Sequence, residues 1–537
     1  MRAPARAGDP GLRRLADAIL IPPFRGQAAP GWVLAALRAG LGGVTVFGPN
    51  IAGPAQLAGL TGRLRSAAAE PLIAIDEEGG DVTRIGHLVG SRYPGNAALG
   101  AVDDVALTRA VYRALGADLA AHGFNVDLAP SVDVNTAADN PVIGTRSFGS
   151  DTGLVARHAA AAVAGLQAAG VAACAKHFPG HGSTLTDTHD GVATLDVPLK
   201  VLARRDLPPF AAAIAAGVQA IMPGHLRVPE LTGDLPASLS AAAQTGLLRG
   251  ELGFTGVIIS DALEMRAVTR SFGLPEAAVL AVAAGTDLVC LGRDQDRSSY
   301  LAVRAALTTA VASGRMPAER LEEAAGRVAG LRAWAAAART AAAPPAAARA
   351  AAARAAAALR AARDAGDGQG GAPPAGHPVP GGRADGADGA GVGLTAARRA
   401  VRVTGGPVRV TAPPVLVEVV PPANIAAGTV PWGLEPWVPA DSIVRLAVGA
   451  GASDLAGAAD AALASADGRP LVVVVRDAHR HQAARDVVTR LLAARPDTVV
   501  VEMGLPVWRP PQGRYMATYG AARISGLAAA EALGLTP

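Results

Sequence analysis

Short apolar runs alternate with longer stretches of helical period from about residue 12 to residue 335. The predicted strands are Ala18–Pro22, Gly43–Phe47, Leu72–Asp76, Asn125–Leu128, Ala172–Phe178, Ala220–Met222, Val257–Ser260 and Asp287–Leu291. Between them, Val105–Ala121, Gly153–Ala169, Leu207–Gly217 and Ala277–Ala284 read as amphipathic helices. Alternation sustained over this length predicts an α/β fold with a parallel sheet covered by helices. Seven or eight such units predict a (β/α)8 barrel of the TIM type, or a variant of it.

The polar positions sharpen that expectation. Asp76, Asp127, Lys176, His177, His225 and Asp261 each stand at or just past the end of an apolar strand. Strand C-termini converge on the active site of such a barrel. A doubly wound sheet would instead gather them along one crevice. The Gly79-Gly80 pair is too little to make a dinucleotide fingerprint.

Composition changes past Ala336. Ala341–Arg363 is almost entirely Ala and Arg, predicted helical after Pro344-Pro345, and Asp364–Gly393 has the Gly, Pro, Ala and Asp content of a flexible linker. A second α/β unit follows, with strands expected at Val408–Val410, Val415–Val420, Leu471–Val475 and Thr498–Glu502 and helices at Ala478–Ala494 and Gly526–Leu533. The expected division is a barrel over 1–335, a linker over 336–393 and an α/β sandwich over 394–537. With 537 residues the chain is too long for one ordinary core, which agrees with two domains.

Net charge is only +4, and no dense basic block sits beside aromatic residues. That argues against a nucleic-acid groove. The run from Ala16 to Phe24 is too short to span a bilayer, and no signal-peptide pattern follows the first residues, so a cytoplasmic location is expected. Cys174 and Cys290 lie in apolar runs and read as two buried reduced thiols. Lys occurs only at 176 and 200, with Arg supplying every other cation. A lysine kept under such a bias marks a place where a compact ammonium matters, which singles out Lys176.

The richest stretch runs from Lys176-His177-Phe178-Pro179-Gly180-His181-Gly182 to Asp187-Thr188-His189-Asp190. Its histidines invite zinc, but nothing else in the chain fixes a metal geometry, and no metal or cofactor is assigned. An Asp-x-His pair has another use. The carboxylate sets the imidazole tautomer and raises its basicity, leaving the other nitrogen to pass a proton near neutral pH. The bland alternative is that Asp187 and His189 close a turn. Asp261 ends the apolar strand Val257–Ser260, where it could equally cap a helix beginning at Ala262. Asp76-Glu77-Glu78-Gly79-Gly80 repeats the pattern of a strand entering acidic residues and a turn, and Asn125, Asn135 and Asn140 cluster near Arg146 in a manner that suits turns as well as ligand contact.

Taken in order, Asp76–Gly80, Asn140–Gly149, Lys176–His189, Pro236–Ser240 and Ser260–Met265 resemble glycoside hydrolase family 3, in its bacterial β-N-acetylglucosaminidase branch. The resemblance implies that Asp261 is the nucleophile, that Asp187 and His189 form the acid/base dyad, and that Asp76, Arg146, Lys176 and His177 bind the sugar. It implies a carbohydrate substrate, with peptidoglycan fragments expected, no nucleic-acid or membrane partner, and an oligomeric state left open. The chain departs from the family at Ala262, where an acidic residue is common, and at Asp81, where Arg is frequent. Both changes are expected to alter contacts near the sugar. The segment Gly180–Thr186 is expected to be mobile. Glu502–Pro506 in the second domain is similar to longer members but suggests no chemistry, and His479 and His481 read as solvated. Hydrolysis, transfer of the sugar to phosphate, a broader β-glycosidase and a silent sugar-binding protein all remain open at this point.

Overall fold

The computed structural model describes residues 9–186, 193–342, 389–422, 426–449 and 451–536. Its first half is a ring of short parallel strands: β1 (Leu20–Ile21), β2 (Gly43–Thr45), β3 (Leu72–Ile75), β4 (Val126–Asp127), β5 (Ala172–Phe178), β6 (Ala220–Pro223), β7 (Val257–Ile258) and β8 (Val289–Cys290). Strands β2 to β7 pair side by side in chain order. The ring closes because β8 pairs with β1 in parallel, Ile259 bridges to Leu288, and the Thr45 amide donates to the Pro22 carbonyl at 3.3 Å. Eight strands and their helices form the expected barrel. All eight predicted strands are present: Ala172–Phe178 has its predicted bounds, Ala220–Pro223 runs one residue further, and the other six are shorter than their apolar runs.

Every residue of β3 and β5 is buried. Aliphatic side chains from the strands and from the helices outside them make one continuous core. Asn125 splices this sheet: its side chain accepts from the Ile73 amide at 2.7 Å and donates to the Pro71 carbonyl at 3.0 Å. Asn140 and Asn135 likewise hold the turn before Arg146 by accepting backbone amides from 142 to 144. The asparagine cluster is turn chemistry. The barrel's final helix, Ala318–Ala342, runs past residue 335. Most of the predicted Ala/Arg helix, and the linker up to 388, lie outside the described residues.

The second sheet comprises β9 (Arg402–Thr404), β10 (Val415–Val420), β11 (Ile443–Ala447), β12 (Leu471–Val475), β13 (Val499–Glu502) and β14 (Arg514–Ala517), in the order β9-β14-β13-β12-β10-β11. Only β9 runs antiparallel to its neighbour. Alternate residues of β10 and β12 enter two separate cores, Val417 and Val473 on one face, Leu416 and Val472 on the other. A sheet covered on both faces needs unbroken apolar strands, and Leu471–Val475 supplies one. Val408–Val410 is not a strand; the edge position is taken by the exposed Arg402–Thr404. No helix among the described residues is long and apolar enough to cross a membrane.

Candidate active site

A cavity of about 380 Å³ opens at the C-terminal ends of the barrel strands, and Asp76, Arg146, Lys176, His177 and Asp261 all line it. Each of these five is placed by the strand or turn that precedes it. Asp76 follows β3, Lys176 and His177 end β5, Asp261 follows β7, and Arg146 closes the short helical turn Gly144–Arg146.

Two buried cations hold the floor together around one carboxylate. Arg146 grips Glu78 through Nε at 2.9 Å and Nη2 at 2.7 Å, and Lys176 Nζ reaches the same Glu78 at 2.7 Å. Lys176 Nζ also donates to Asp76 Oδ1 at 2.5 Å, while Arg84 Nη2 donates to Asp76 Oδ2 at 2.8 Å. Burial alone would push the Glu78 carboxyl up, but the guanidinium of Arg146 and the ammonium of Lys176 outweigh it and hold Glu78 far below the usual carboxylate range. Burial likewise opposes the charge on Lys176, yet Asp76 and Glu78 keep the ammonium protonated more firmly than in water. The result is a cluster of fixed charges of which Asp76, Arg146 and Lys176 reach the cavity wall, a chemistry suited to gripping vicinal hydroxyls.

His177 extends the cluster. Its Nδ1 hydrogen-bonds Asp133 at 2.8 Å and its Nε2 lies 3.3 Å from Arg146 Nη2, so the network places the proton on Nδ1 and leaves Nε2 accepting. Asp133 is fully buried and also accepts the amides of His177 and His181.

Asp261 is not a helix cap. The helix that follows spans Arg266–Phe272, and its N-cap position is Met265, which makes no side-chain cap. Asp261 instead stands half-buried at the cavity wall, with Oδ1 accepting the Ala262 amide at 2.7 Å. The turn after it is fastened from outside: His225 hydrogen-bonds the Ala262 carbonyl at 3.0 Å through Nε2 and Ser238 at 2.7 Å through Nδ1. Glu264, also in the cavity wall, accepts the Gly292 amide at 2.8 Å. Gly292 cannot carry a side chain, because a Cβ there would fall 1.5 Å from Glu264 Oε1.

Two strand-end residues do not join the site. Asp127 is fully buried beneath it and accepts the Glu77 amide at 3.0 Å, and burial pushes its carboxyl well above the usual carboxylate range. His225 buttresses the Asp261 turn without lining the cavity. Both stand where strands end, yet their side chains take other directions.

Asp187 and His189 lie outside the described residues. The segment leading to them is better anchored than its Gly-rich composition suggests. The His181 amide donates to Asp133 at 2.7 Å, the Asn140 side chain donates to the His181 carbonyl at 2.8 Å, and Thr184 bonds the His181 ring at 2.6 Å. Gly182 packs so closely on Val134 that a Cβ would meet its carbonyl oxygen at 2.1 Å. Residues 180–184 are thus tied to the barrel by hydrogen bonds and close packing, and Leu185 is exposed.

Burial pushes the His181 imidazole down to about 4, against the opposing pull of Asp133. A histidine depressed in the fold resists protonation there, so its contribution to stability is present at neutral pH. That contribution declines as pH falls below the unfolded value near 6.5 and is gone below about 4. His181→Asn is expected to flatten the loss of stability between pH 7 and pH 4 by about 3 kcal/mol. Denaturant melts of both proteins at the two pH values check this, and parallel curves would contradict it.

Sequence reasoning missed Asp133, Arg84 and the role of Glu78. It also missed the part that the expected second domain plays in the site: its segment 426–430 lines the same cavity, and its Ala426 carbonyl accepts from Arg84 Nη2 at 3.0 Å. Asp81 turns away from this cavity: it accepts from Thr145 and, across the domain junction, from the Ala521 amide. His479 and His481 line a cleft between the domains, with His479 Nε2 on the Ala138 carbonyl at 2.9 Å. The Glu502–Pro506 run has a structural task. Glu502 accepts the amides of Asp477, Ala478 and Gly504, which fixes the turn carrying His479.

The chain matches the glycosyl hydrolase family 3 N terminal domain over residues 33–331. It is 35% identical over 321 residues to the beta-hexosaminidase A of Pseudoalteromonas piscicida, a match covering 55% of this chain and 54% of that protein. The chain thus spans about half the length of that relative. Beta-hexosaminidase LpqI of Mycobacterium tuberculosis is 38% identical over 265 residues, covering 48% of this chain and 67% of LpqI. Among solved structures, a glycoside hydrolase family 3 beta-N-acetylglucosaminidase from Paenibacillus sp. str. FPU-7 superposes with a TM-score of 0.79 at 30% identity, over 98% of this chain and 97% of that one.

Proposed function

This chain belongs to glycosyl hydrolase family 3, and from that premise we propose that it is a retaining exo-β-N-acetylglucosaminidase. The observation that carries the reading is that Asp261 lines one cavity with Asp76, Lys176, Arg146 and His177, a row that the buried Glu78 ties together from beneath. The row binds the hydroxyls of one terminal sugar and presents its anomeric carbon to Asp261. Relatives bearing the name beta-hexosaminidase support the choice of an N-acetylhexosamine. Peptidoglycan fragments are the natural source proposed for it.

Asp261 attacks the anomeric carbon as the bond to the leaving oxygen breaks, giving a covalent glycosyl ester. His189, its basicity raised by Asp187, donates a proton to that oxygen. It then takes one from the water whose oxygen displaces Asp261. Two displacements restore the original configuration.

His189→Ala, assayed on aryl N-acetyl-β-glucosaminides, is expected to lose on the order of 10²–10⁴-fold on poor leaving groups and far less on good ones. Equal losses across the series would remove the histidine from the acid's role. The same assay with and without inorganic phosphate separates hydrolysis from transfer: free N-acetylglucosamine is the expected product in both, whereas a sugar 1-phosphate would overturn hydrolysis.

A further inference from the structure

The residue that replaces the family's frequent arginine sits at the junction of the two domains. Asp81 has a side chain only 4% exposed, and it follows the turn Gly79-Gly80, where both glycines have positive φ. The turn is tight: a Cβ on Gly80 would meet the Gly95 Cα at 2.5 Å. Glu78 enters this turn and Asp81 leaves it, so the two carboxylates are tied to one rigid piece of backbone, which the Glu78 amide closes by donating to the Val82 carbonyl at 3.0 Å.

Each Asp81 oxygen is engaged. Oδ1 accepts the Ala521 amide at 2.8 Å, while Oδ2 accepts the Thr145 hydroxyl at 2.6 Å and pairs with Arg476 Nη2 at 3.2 Å. Thr145 immediately precedes Arg146. Ala521 and Arg476 belong to the second domain, and the Arg476 guanidinium lies over the Trp432 ring at 6.0 Å. One buried carboxylate therefore joins the turn bearing Glu78, the turn bearing Arg146, and two points of the second domain. Neither Asp81 nor Arg476 lines the sugar cavity.

We propose that Asp81 is a positioning residue through which the second domain, by Arg476 and the Ala521 amide, holds Arg146, and the Glu78 that grips it, in the geometry that binds the sugar. The proposal rests on the glycosidase reading for its kinetic consequence. It gives the second domain a role in substrate affinity, and it makes Asp81 and Arg476 a matched pair: a carboxylate on the barrel answered by a guanidinium from the second sheet. Displacing a binding group by a fraction of an ångström weakens the grip on the sugar without touching Asp261.

The test is a double-mutant cycle on the full chain with Asp81→Asn, Arg476→Met and both together. Each single variant is expected to raise KM for an aryl N-acetyl-β-glucosaminide about five- to tenfold, with kcat within about twofold. The double variant should be no worse than the poorer single, because the two residues act through one contact. Arg490→Met, which breaks an exposed ion pair with Asp460 far from the site, should leave KM unchanged. Singles that lower only thermal stability, or effects on KM that multiply in the double variant, would overturn the proposal. Backbone amide exchange at residues 144–148 gives a second readout: both singles should exchange faster there, and unchanged exchange counts against the clamp. A wild-type chain that cleaves no aryl glycoside would overturn the glycosidase reading instead, and the exchange measurement would still decide the clamp.

Discussion

Asp261→Asn is expected to lower kcat by about 10⁴-fold or more on every leaving group, with thermal stability within about 1 kcal/mol of wild type. Asp261 stands at the cavity wall with Oδ1 on the Ala262 amide. It caps no helix, since the helix after it begins at Arg266. Its turn is held by other groups, with His225 on the Ala262 carbonyl and Glu264 on the Gly292 amide. With these fastenings in place, and the Asn side-chain oxygen still able to accept the Ala262 amide, the change is expected to cost chemistry far more than folding. Amides are poor nucleophiles, so the shape-preserving change still removes the covalent step. Kinetics on an activated aryl glycoside, read beside a thermal melt, check the pairing. A large fall in stability with modest kinetic loss would return Asp261 to a structural role.

Glu78→Gln is expected to show the opposite signature. Glu78 is almost fully buried and is the shared counter-ion of Arg146 and Lys176. Neutralising it leaves Lys176 paired with Asp76 and deprives the buried Arg146 of the carboxylate it grips. Breaking a buried pair by removing one partner costs about 3–5 kcal/mol, much more than an exposed ion pair contributes. The same change frees Arg146 from its two-point grip, so KM should rise more than about tenfold. A melt and a saturation curve on one preparation measure both. A variant with wild-type stability and unchanged KM would mean that the charge row does not organise the sugar site.

How much of this was legible beforehand depended on where each residue stands. Asp76, Lys176, His177 and Asp261 were visible because an apolar strand points at each and a barrel collects its strand ends at one face. The same reasoning over-reached at Asp127 and His225. Position at a strand end locates the backbone, but the side chain's direction depends on register, which alternates residue by residue. Asp127 points under the sheet to the Glu77 amide for that reason. Asp133 and Arg84 were hidden in loops, where no periodicity reports orientation. The second domain's share of the cavity was illegible for a different cause: Arg84 meets the Ala426 carbonyl across more than three hundred residues of chain, a contact no local pattern encodes. In the second sheet, Leu471–Val475 announced itself through burial on both faces. The edge strand Arg402–Thr404, exposed at all three residues, had no apolar run to betray it. The neighbouring apolar stretch at Val408–Val410 drew the assignment instead.

The central claim, a covalent glycosyl ester on Asp261, is open to direct observation. A 5-fluoro N-acetylglucosaminyl fluoride slows both displacements, yet its fluoride leaves readily, so the ester should accumulate. Incubation of the full chain with it, followed by proteolysis and mass spectrometry, is expected to place the added sugar on the peptide carrying Asp261. Asp261→Asn should carry no label under the same conditions. Label on another carboxylate, or full turnover with inversion at the anomeric carbon and no label anywhere, would contradict the mechanism.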